Sequence, residues 1–150
     1  MKPVSRRRAR EVALQILYYL DANPELETQA ALNAYFDRFA DLDEDTPPPE
    51  GREPVDRPFL EAIVRGVSER RAALDDKLGQ LSRNWRVERI ARVERNILRM
   101  ALWELESRPD IPARVTLNEA IELAKAYGAA DAPAFVNGLL DSALHAGGNK

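Results

Sequence analysis

The segment between Val87 and Leu105 carries apolar residues at intervals of three and four, and these residues form one continuous face of a helix. Similar spacing recurs in five other segments, at residues 5–20, 28–39, 57–81, 116–127 and 131–144. No stretch alternates polar and apolar residues for long enough to predict a β-strand. We therefore expect an all-α bundle of about six or seven helices, with the 87–105 helix at the centre of the core.

Residues that favour helix termini predict where several of these helices begin. Ser5 precedes the first helix and Asp56 precedes the third, and both side chains can accept hydrogen bonds from free backbone N–H groups. Thr116 and Glu119 have the spacing of a capping box, which predicts that the fifth helix begins just after Thr116. These signals agree with the helix boundaries that the apolar spacing predicts.

Two glycines near the C-terminus have different expected roles. Gly128 follows the fifth helix, and we expect it to end that helix in a left-handed conformation. Gly138 lies within the last helix, where glycine is about 1 kcal/mol less favourable than alanine. We interpret Gly138 as a site of close helix packing rather than of ligand contact.

Composition limits the function classes that remain. The chain has 150 residues, of which 45% are hydrophobic, so we expect one domain over residues 1–150. The absence of cysteine excludes thiol chemistry, and a histidine-based metal site or triad would depend on His145 alone. We therefore expect no catalytic site, no metal and no cofactor. No apolar run approaches the ~20 residues of a membrane span, and we expect a cytoplasmic protein.

Residues 41–56 differ in composition from the rest of the chain. They contain seven acidic residues, one arginine and four prolines. This composition predicts an acidic, Pro-rich loop exposed to solvent. Two roles stay open for it, a surface for a basic partner or a simple connector, and we favour the connector.

A cluster of arginines lies at the start of the first helix. With Lys2, it gives the first ten residues five positive charges, in a chain whose net charge is −3; its members are Arg6, Arg7, Arg8 and Arg10. The N-terminus of a helix carries a partial positive charge, so each cation there costs about 0.3–1 kcal/mol. Since the fold alone gives no reason for this cost, we expect the cluster to bind a polyanion.

Aromatic residues favour single-stranded RNA as that polyanion, because unstacked bases need aromatic faces beside cations that hold phosphates. Tyr18 and Tyr19 lie on the arginine-bearing helix, two to three turns beyond the cluster. Tyr127 and Phe135 flank a turn at residues 128–133. Each of these aromatic side chains has a structural alternative, which is a place in the core.

A second arginine series, at positions 83, 86, 89, 92, 95 and 99, has a different interpretation. Steps of three residues rotate a helix by 300°, so successive members drift by about 60° and cannot share one face. Glu88 lies four residues before Arg92, in a favourable order for an ion pair on a helix. We expect most of this series to form a flank of salt bridges, and likewise expect Asp75 and Asp76 to pair in solvent with Arg71 and Lys77.

Three parts of the sequence carry a resemblance to a known family. Residues 2–18 have the sequence KPVSRRRAREVALQILY, and residues 93–105 have VERNILRMALWEL. Residues 117–125 have LNEAIELAK, and residues 135–141 have FVNGLLD. Over nearly its whole length the chain resembles the NusB family of transcription antitermination factors. The resemblance implies a fold of two packed helical bundles, and an insert around residues 46–54 is longer than that family leads us to expect.

The resemblance also implies partners. They are single-stranded boxA-like RNA from ribosomal RNA leaders, the ribosomal protein NusE, and an RNA polymerase elongation complex with other Nus factors. RNA phosphates would be held by Lys2, Arg6, Arg7, Arg8 and Arg10, and RNA bases by Tyr127, Asp131 and Phe135. Tyr18 would lie at both the RNA and the NusE contacts, and Glu94 at the NusE contact. A homodimer of the free protein stays open.

A protein–protein adapter without direct sequence-specific RNA binding is the competing interpretation. In that case the arginines would contact an acidic protein surface. Methyltransferases for ribosomal RNA also carry a NusB-like domain, but this chain ends where their catalytic domain would begin. An enzyme is therefore the least favoured class.

Overall fold

A computed structural model of the chain describes residues 5–39, 55–82 and 86–148. These residues form seven α-helices, one 3₁₀ turn and no β-strand, which confirms the predicted all-α class. The helices are α1 (Arg6–Ala22), α2 (Thr28–Phe39), α3 (Arg57–Glu69), α4 (Arg71–Leu81), α5 (Arg92–Ser107), α6 (Ala113–Tyr127) and α7 (Ala132–Gly148). The 3₁₀ turn spans Val87–Arg89. Lys2, Trp85 and most of the predicted acidic loop, residues 41–54, lie outside the described residues.

The chain divides into two compact units, and unit 1 spans Met1–Ser68. In unit 1, α1 packs against α2, and Val12, Ala13 and Leu32 are completely buried. The predicted caps of α1 and α3 are both confirmed. Ser5 Oγ accepts a hydrogen bond from the N–H of Arg8 at 3.0 Å, and a carboxylate oxygen of Asp56 accepts one from the N–H of Phe59 at 3.2 Å.

Unit 2 spans Glu69–Lys150. Within it, α5 contacts α4, α6 and α7, so its predicted central position is confirmed for this unit. Ile97, Leu98 and Leu102 on α5 are completely buried. The single domain expected over residues 1–150 stays a prediction.

The predicted 57–81 helix is wrong, because the structure has two helices there with a break at Arg70. Arg70 has φ −107° and ψ 15°, outside the α-helical region. The last buried apolar residue of α3 is Val67 and the first of α4 is Leu74, seven residues later. Two helical turns also span about seven residues. Apolar spacing therefore could not detect a break at the exposed Glu69 and Arg70.

The start of the predicted 87–105 helix is also wrong. Val87–Arg89 is a 3₁₀ turn, Ile90 and Ala91 have extended ψ values of 132° and 142°, and α5 begins at Arg92. Ile90 is buried even though its backbone is not helical. Because burial of Ile90 produces the same apolar pattern as a helix would, the pattern could not show this boundary. It also follows that Glu88 and Arg92 are not a helical ion pair.

The predicted capping box at Thr116 is wrong. Helix α6 begins three residues earlier, at Ala113, with Pro112 as the cap residue and no side-chain cap. Thr116 is buried, and its hydroxyl donates a hydrogen bond to the Glu104 carboxylate on α5 at 3.0 Å. Thr116 therefore joins α6 to α5 instead of capping α6.

Both predictions about glycines are wrong in their physical reason. Gly128 does end α6, but its φ is −92° and its ψ 177°, an extended conformation. Position 128 requires glycine because a larger residue has no space there. A Cβ would lie 2.6 Å from the Cβ of Ala132 and 2.9 Å from the carbonyl oxygen of Ala124. Gly138 is exposed, and a Cβ there would have nothing within 4 Å. Crowding therefore constrains Gly128, whereas Gly138 is not packed against a neighbouring helix.

Gly138→Ala is expected to raise the free energy of unfolding by about 0.5–1 kcal/mol, because alanine favours the helix and meets no neighbour. Gly128→Ala is expected to lower it by about 1–3 kcal/mol, because the new methyl group would overpack the α6–α7 junction. Urea denaturation monitored by circular dichroism measures both values. A loss of stability in Gly138→Ala would contradict the open environment of Gly138.

Candidate nucleic-acid interface

The four arginines at the start of α1 have different exposures. Arg6 and Arg7 are exposed, Arg8 is half-buried, and Arg10 is buried with only 4% of its surface exposed. The cluster is therefore not one uniform basic surface. Arg6 and Arg7 are the members that a ligand in solvent reaches most readily.

Phe59 on α3 lies against two of these arginines. The guanidinium carbons of Arg6 and Arg10 lie 5.1 Å and 5.0 Å from the centroid of its ring, within the range of cation–π attraction. Arg6 also lies 3.9 Å from a carboxylate oxygen of Asp56, the residue that caps α3. These contacts offset part of the cost of placing cations at a helix N-terminus, so ligand binding is not the whole reason for the cluster.

Arg8 has neighbours of its own within unit 1. Its guanidinium lies 3.6 Å from the Glu11 carboxylate, one turn along α1. Burial raises the pKa of Tyr35 on α2, and the positive charge of Arg8 acts in the opposite direction. The positive charge of Arg8 therefore acts on α2 as well as on groups in solvent.

Exposed aromatic side chains lie further along the same helix. Tyr18 is 41% exposed and Tyr19 is 58% exposed. Eleven residues separate Arg7 from Tyr18, which places both on nearly the same face of α1, about 17 Å apart along its axis. Arg7 and Tyr18 thus place a cation and one aromatic ring on the same exposed face of α1, whereas Tyr19 is rotated about 120° away from Arg7. A cation beside an exposed ring is the combination that binding of single-stranded RNA requires.

Unit 2 brings together three of the predicted site residues around one cavity. A cavity of about 230 Å³ is lined by Glu94 from α5, by Asp131 just before α7 and by Phe135 from the first turn of α7. Tyr127 is exposed at the end of α6, and it is not among the residues that line this cavity. The sequence grouped Asp131 and Phe135 with Tyr127, and it placed Glu94 at a different contact. It therefore did not indicate that Glu94 shares a cavity with Asp131 and Phe135.

The buried Glu94 carboxylate also holds the turn between α6 and α7. Glu94 is 6% exposed, and its Oε1 accepts a hydrogen bond from the N–H of Ala129 at 3.3 Å. The same oxygen would lie 3.3 Å from a Cβ at position 128. Glu94 thus fixes the backbone that leads into Asp131 and Phe135.

The second arginine series separates into different environments. Arg99 is buried and donates two hydrogen bonds to the Asp75 carboxylate, at 2.7 Å and 2.9 Å. Arg95 donates to the backbone carbonyls of Val87 and Glu88, both at 3.4 Å. The expected salt bridges thus exist in part, but Asp75 pairs with a buried arginine rather than with Arg71 or Lys77.

Arg89, from the same series, is the residue that the sequence interpretation missed. Its side chain is exposed and lines the cavity of Glu94, Asp131 and Phe135. A periodicity of three residues could not distinguish Arg89 from its neighbours, because the 3₁₀ turn interrupts the helix that the pattern predicted.

In the part of the chain that the structure describes, no group of acidic or histidine side chains could hold a metal ion. No helix there is long and apolar enough to cross a membrane.

Comparison with known proteins shows the family. Residues 7–145 match the model of the NusB family. The transcription antitermination protein NusB of Geotalea daltonii is 48% identical over 137 residues, which cover 91% of this chain and 92% of that protein. The solved structure of T. maritima NusB has a TM-score of 0.75 at 32% identity and covers 94% of this chain and 90% of that one.

A further solved structure shares the fold. It is a crystal structure of antitermination factors NusB and NusE in complex with double-stranded RNA. The matching chain has a TM-score of 0.71 at 22% identity, covering 94% of this chain and 96% of that one. By its family match and its similarity to these relatives over nearly its whole length, the chain belongs to the NusB family.

Proposed function

We propose that this protein is a transcription antitermination factor that binds RNA directly and acts together with NusE. The observation that carries the proposal is the exposed face of α1, where Arg7 and Tyr18 offer a guanidinium and an aromatic ring to one ligand. Guanidinium groups bind phosphates, and exposed rings stack on unpaired bases. Family membership supports the same function, since a protein of this fold has been crystallised with NusE and double-stranded RNA.

The RNA that we propose is single-stranded and boxA-like, as found in leaders of ribosomal RNA operons. Duplex RNA presents its phosphates and 2′-hydroxyls but keeps its bases stacked, so it leaves exposed tyrosines without a stacking partner. Arg6 and Arg7 would hold phosphates, and Tyr18, Tyr127 and Phe135 would meet bases. Lys2, Arg8, Arg10 and Asp131 stay predicted members of the site, and the burial of Arg10 favours a structural role for it.

The proposed protein contacts involve NusE and, through it, the elongation complex of RNA polymerase with other Nus factors. Tyr18 and Glu94 are the proposed contact residues for NusE, at the edge where NusE and the RNA meet. Tyr18 is exposed on α1, whereas Glu94 is buried and has one carboxylate oxygen engaged with Ala129. A partner would therefore reach Glu94 only through the cavity that it lines. The proposed function places the protein in the cytoplasm, and a homodimer of the free protein stays a prediction.

A binding experiment tests the proposal. Fluorescence anisotropy would compare a boxA-like strand, a scrambled strand and a duplex, each with and without NusE. We expect the boxA-like strand to bind most tightly, and NusE to increase its affinity and its selectivity over the scrambled strand. Each phosphate contact should contribute about −0.7 to the slope of log K against log salt.

A protein–protein adapter without direct RNA binding is the competing proposal. It is favoured by the contacts within unit 1 that already engage Arg6, Arg8 and Arg10. In that case NusE would bind the protein, but no RNA would bind the protein alone and the salt titration would be flat. That outcome would reject direct RNA binding and retain the partner.

A further inference from the structure

Three charged side chains surround the unit 2 cavity without neutralising one another. Arg89 comes from the 3₁₀ turn, Glu94 from α5 and Asp131 from the residue before α7. Phe135 supplies an aromatic ring to the same cavity. Surface charges that serve only solubility need no such convergence, so the arrangement indicates a ligand that contacts all of these groups.

Within residues 5–39, 55–82 and 86–148, the side chains of Arg89 and Asp131 form no ion pair and no hydrogen bond. The Glu94 carboxylate accepts one hydrogen bond there, from Ala129 at Oε1. Among described side chains no buried oxygen lacks a partner, so Glu94 Oε2 reaches open space. Glu94, of whose surface only 6% is exposed, thus keeps one carboxylate oxygen available at the cavity that it lines.

These groups specify the chemistry of a ligand. A free anion fits poorly, because two carboxylates and one guanidinium leave a net negative charge around the cavity. A nucleotide fits better, because its base can donate an N–H group to a carboxylate and lie against an aromatic ring while its phosphate meets a cation. The cavity of about 230 Å³ has room for several water molecules, each of which occupies about 30 Å³ in the liquid, and so for a planar ring.

We propose that Arg89 is an RNA-binding residue, which holds a phosphate while a base of the same strand lies against Phe135 and donates an N–H group to Glu94. This inference rests on the proposed RNA-binding function. It adds one contact residue and the orientation of the nucleotide in the cavity. The phosphate lies on the side of the cavity that Arg89 lines, because the carboxylates of Glu94 and Asp131 repel a phosphate from the other sides. The guanidinium supplies affinity, and the carboxylate favours bases that present a donor.

Arg86 provides a matched control within the same short segment. It lies three residues before Arg89, is exposed, and forms no ion pair or side-chain hydrogen bond in the described part of the chain. It does not line the cavity. Its substitution therefore removes the same charge without removing a group from the proposed site.

The experiment measures binding of a boxA-like single strand to the full chain with Arg89→Ala, Arg89→Glu or Arg86→Ala, across a series of salt concentrations. Arg89→Ala should weaken binding about tenfold, the loss of one charge-assisted phosphate contact, and should make the salt slope shallower by about 0.7. Arg89→Glu should weaken it further, and Arg86→Ala should stay within about twofold of the wild type. Because Arg89 is exposed, all variants should unfold at the temperature of the wild type.

The remaining outcomes separate this inference from the proposed function. If the wild type binds RNA and Arg89→Ala binds equally well, the inference fails and the function stands. Equal losses in Arg89→Ala and Arg86→Ala would show a general charge effect and would also overturn it. A loss of NusE binding without a loss of RNA binding would assign the cavity to a protein instead. A wild type that binds no RNA would overturn the function and the inference together.

Discussion

Replacement of both Arg7 and Arg8 with glutamate is expected to abolish RNA binding and leave helix content and NusE association intact. Arg7 is exposed and Arg8 is half-buried, and the Phe59 ring keeps its contacts with Arg6 and Arg10 in this variant. Each hydrogen bond between a guanidinium and a phosphate contributes about 1.5–3 kcal/mol. Loss of two such contacts should therefore weaken binding at least about 100-fold. Fluorescence anisotropy with a boxA-like strand measures the loss.

Arg65→Glu combined with Arg114→Glu is the charge-matched control. Both residues are exposed, and neither belongs to the proposed site. This control changes net charge by the same amount, so any loss that it shares with the first variant reflects the overall field of the protein. RNA affinity that stays unchanged after the reversal at Arg7 and Arg8 would remove the N-terminal cluster from the RNA site.

Asp75→Ala is expected to lower the free energy of unfolding by about 3 kcal/mol. Asp75 accepts two hydrogen bonds from Arg99, whose side chain is only 3% exposed. Removing one partner of a buried pair leaves a desolvated charge, which costs about 3–5 kcal/mol. The lower value applies because the Asp75 side chain is 27% exposed, so water can enter where the carboxylate was. Urea denaturation measures the change.

Two further variants test this assignment. Asp76→Ala removes an exposed neighbouring carboxylate and should change the free energy of unfolding by less than about 0.5 kcal/mol. Adding Arg99→Met to Asp75→Ala should recover much of the lost stability, because no uncompensated charge then remains buried. A double variant that is even less stable than Asp75→Ala would show that packing of Arg99, rather than its charge, dominates.

Much of the helical architecture could be predicted from local sequence. The caps at Ser5 and Asp56 were predicted correctly, because a side chain that caps a helix bonds within three residues of itself. The capping box at Thr116 failed because its hydroxyl bonds to Glu104, which lies on another helix. The helix predicted over residues 57–81 missed the break at Arg70, because exposed residues do not change the spacing of the apolar ones. Local signals thus predict an element well only where no tertiary partner competes.

The site shows the same limit. The basic cluster could be identified from charge alone, but the burial of Arg10 depends on Phe59, which lies 49 residues later in the chain. The position of Arg89 at the cavity could not be identified for a similar reason, because the other charged residues that line the cavity come from α5 and from the start of the α7 segment. Residue types and spacing therefore indicated that the chain offers cations and aromatic rings for binding. The fold determines which of these side chains are exposed and which are buried.

The two arginine contacts of Phe59 affect how tightly α1 can bind a ligand. Because the ring lies against Arg6 and Arg10, the first turns of α1 are held in place on either side of Arg7. A ligand that meets Arg7 therefore encounters a preorganised backbone, and little conformational entropy is lost there on association. Under the proposed function, Phe59 would therefore raise the affinity of Arg7 for RNA without contacting the RNA itself.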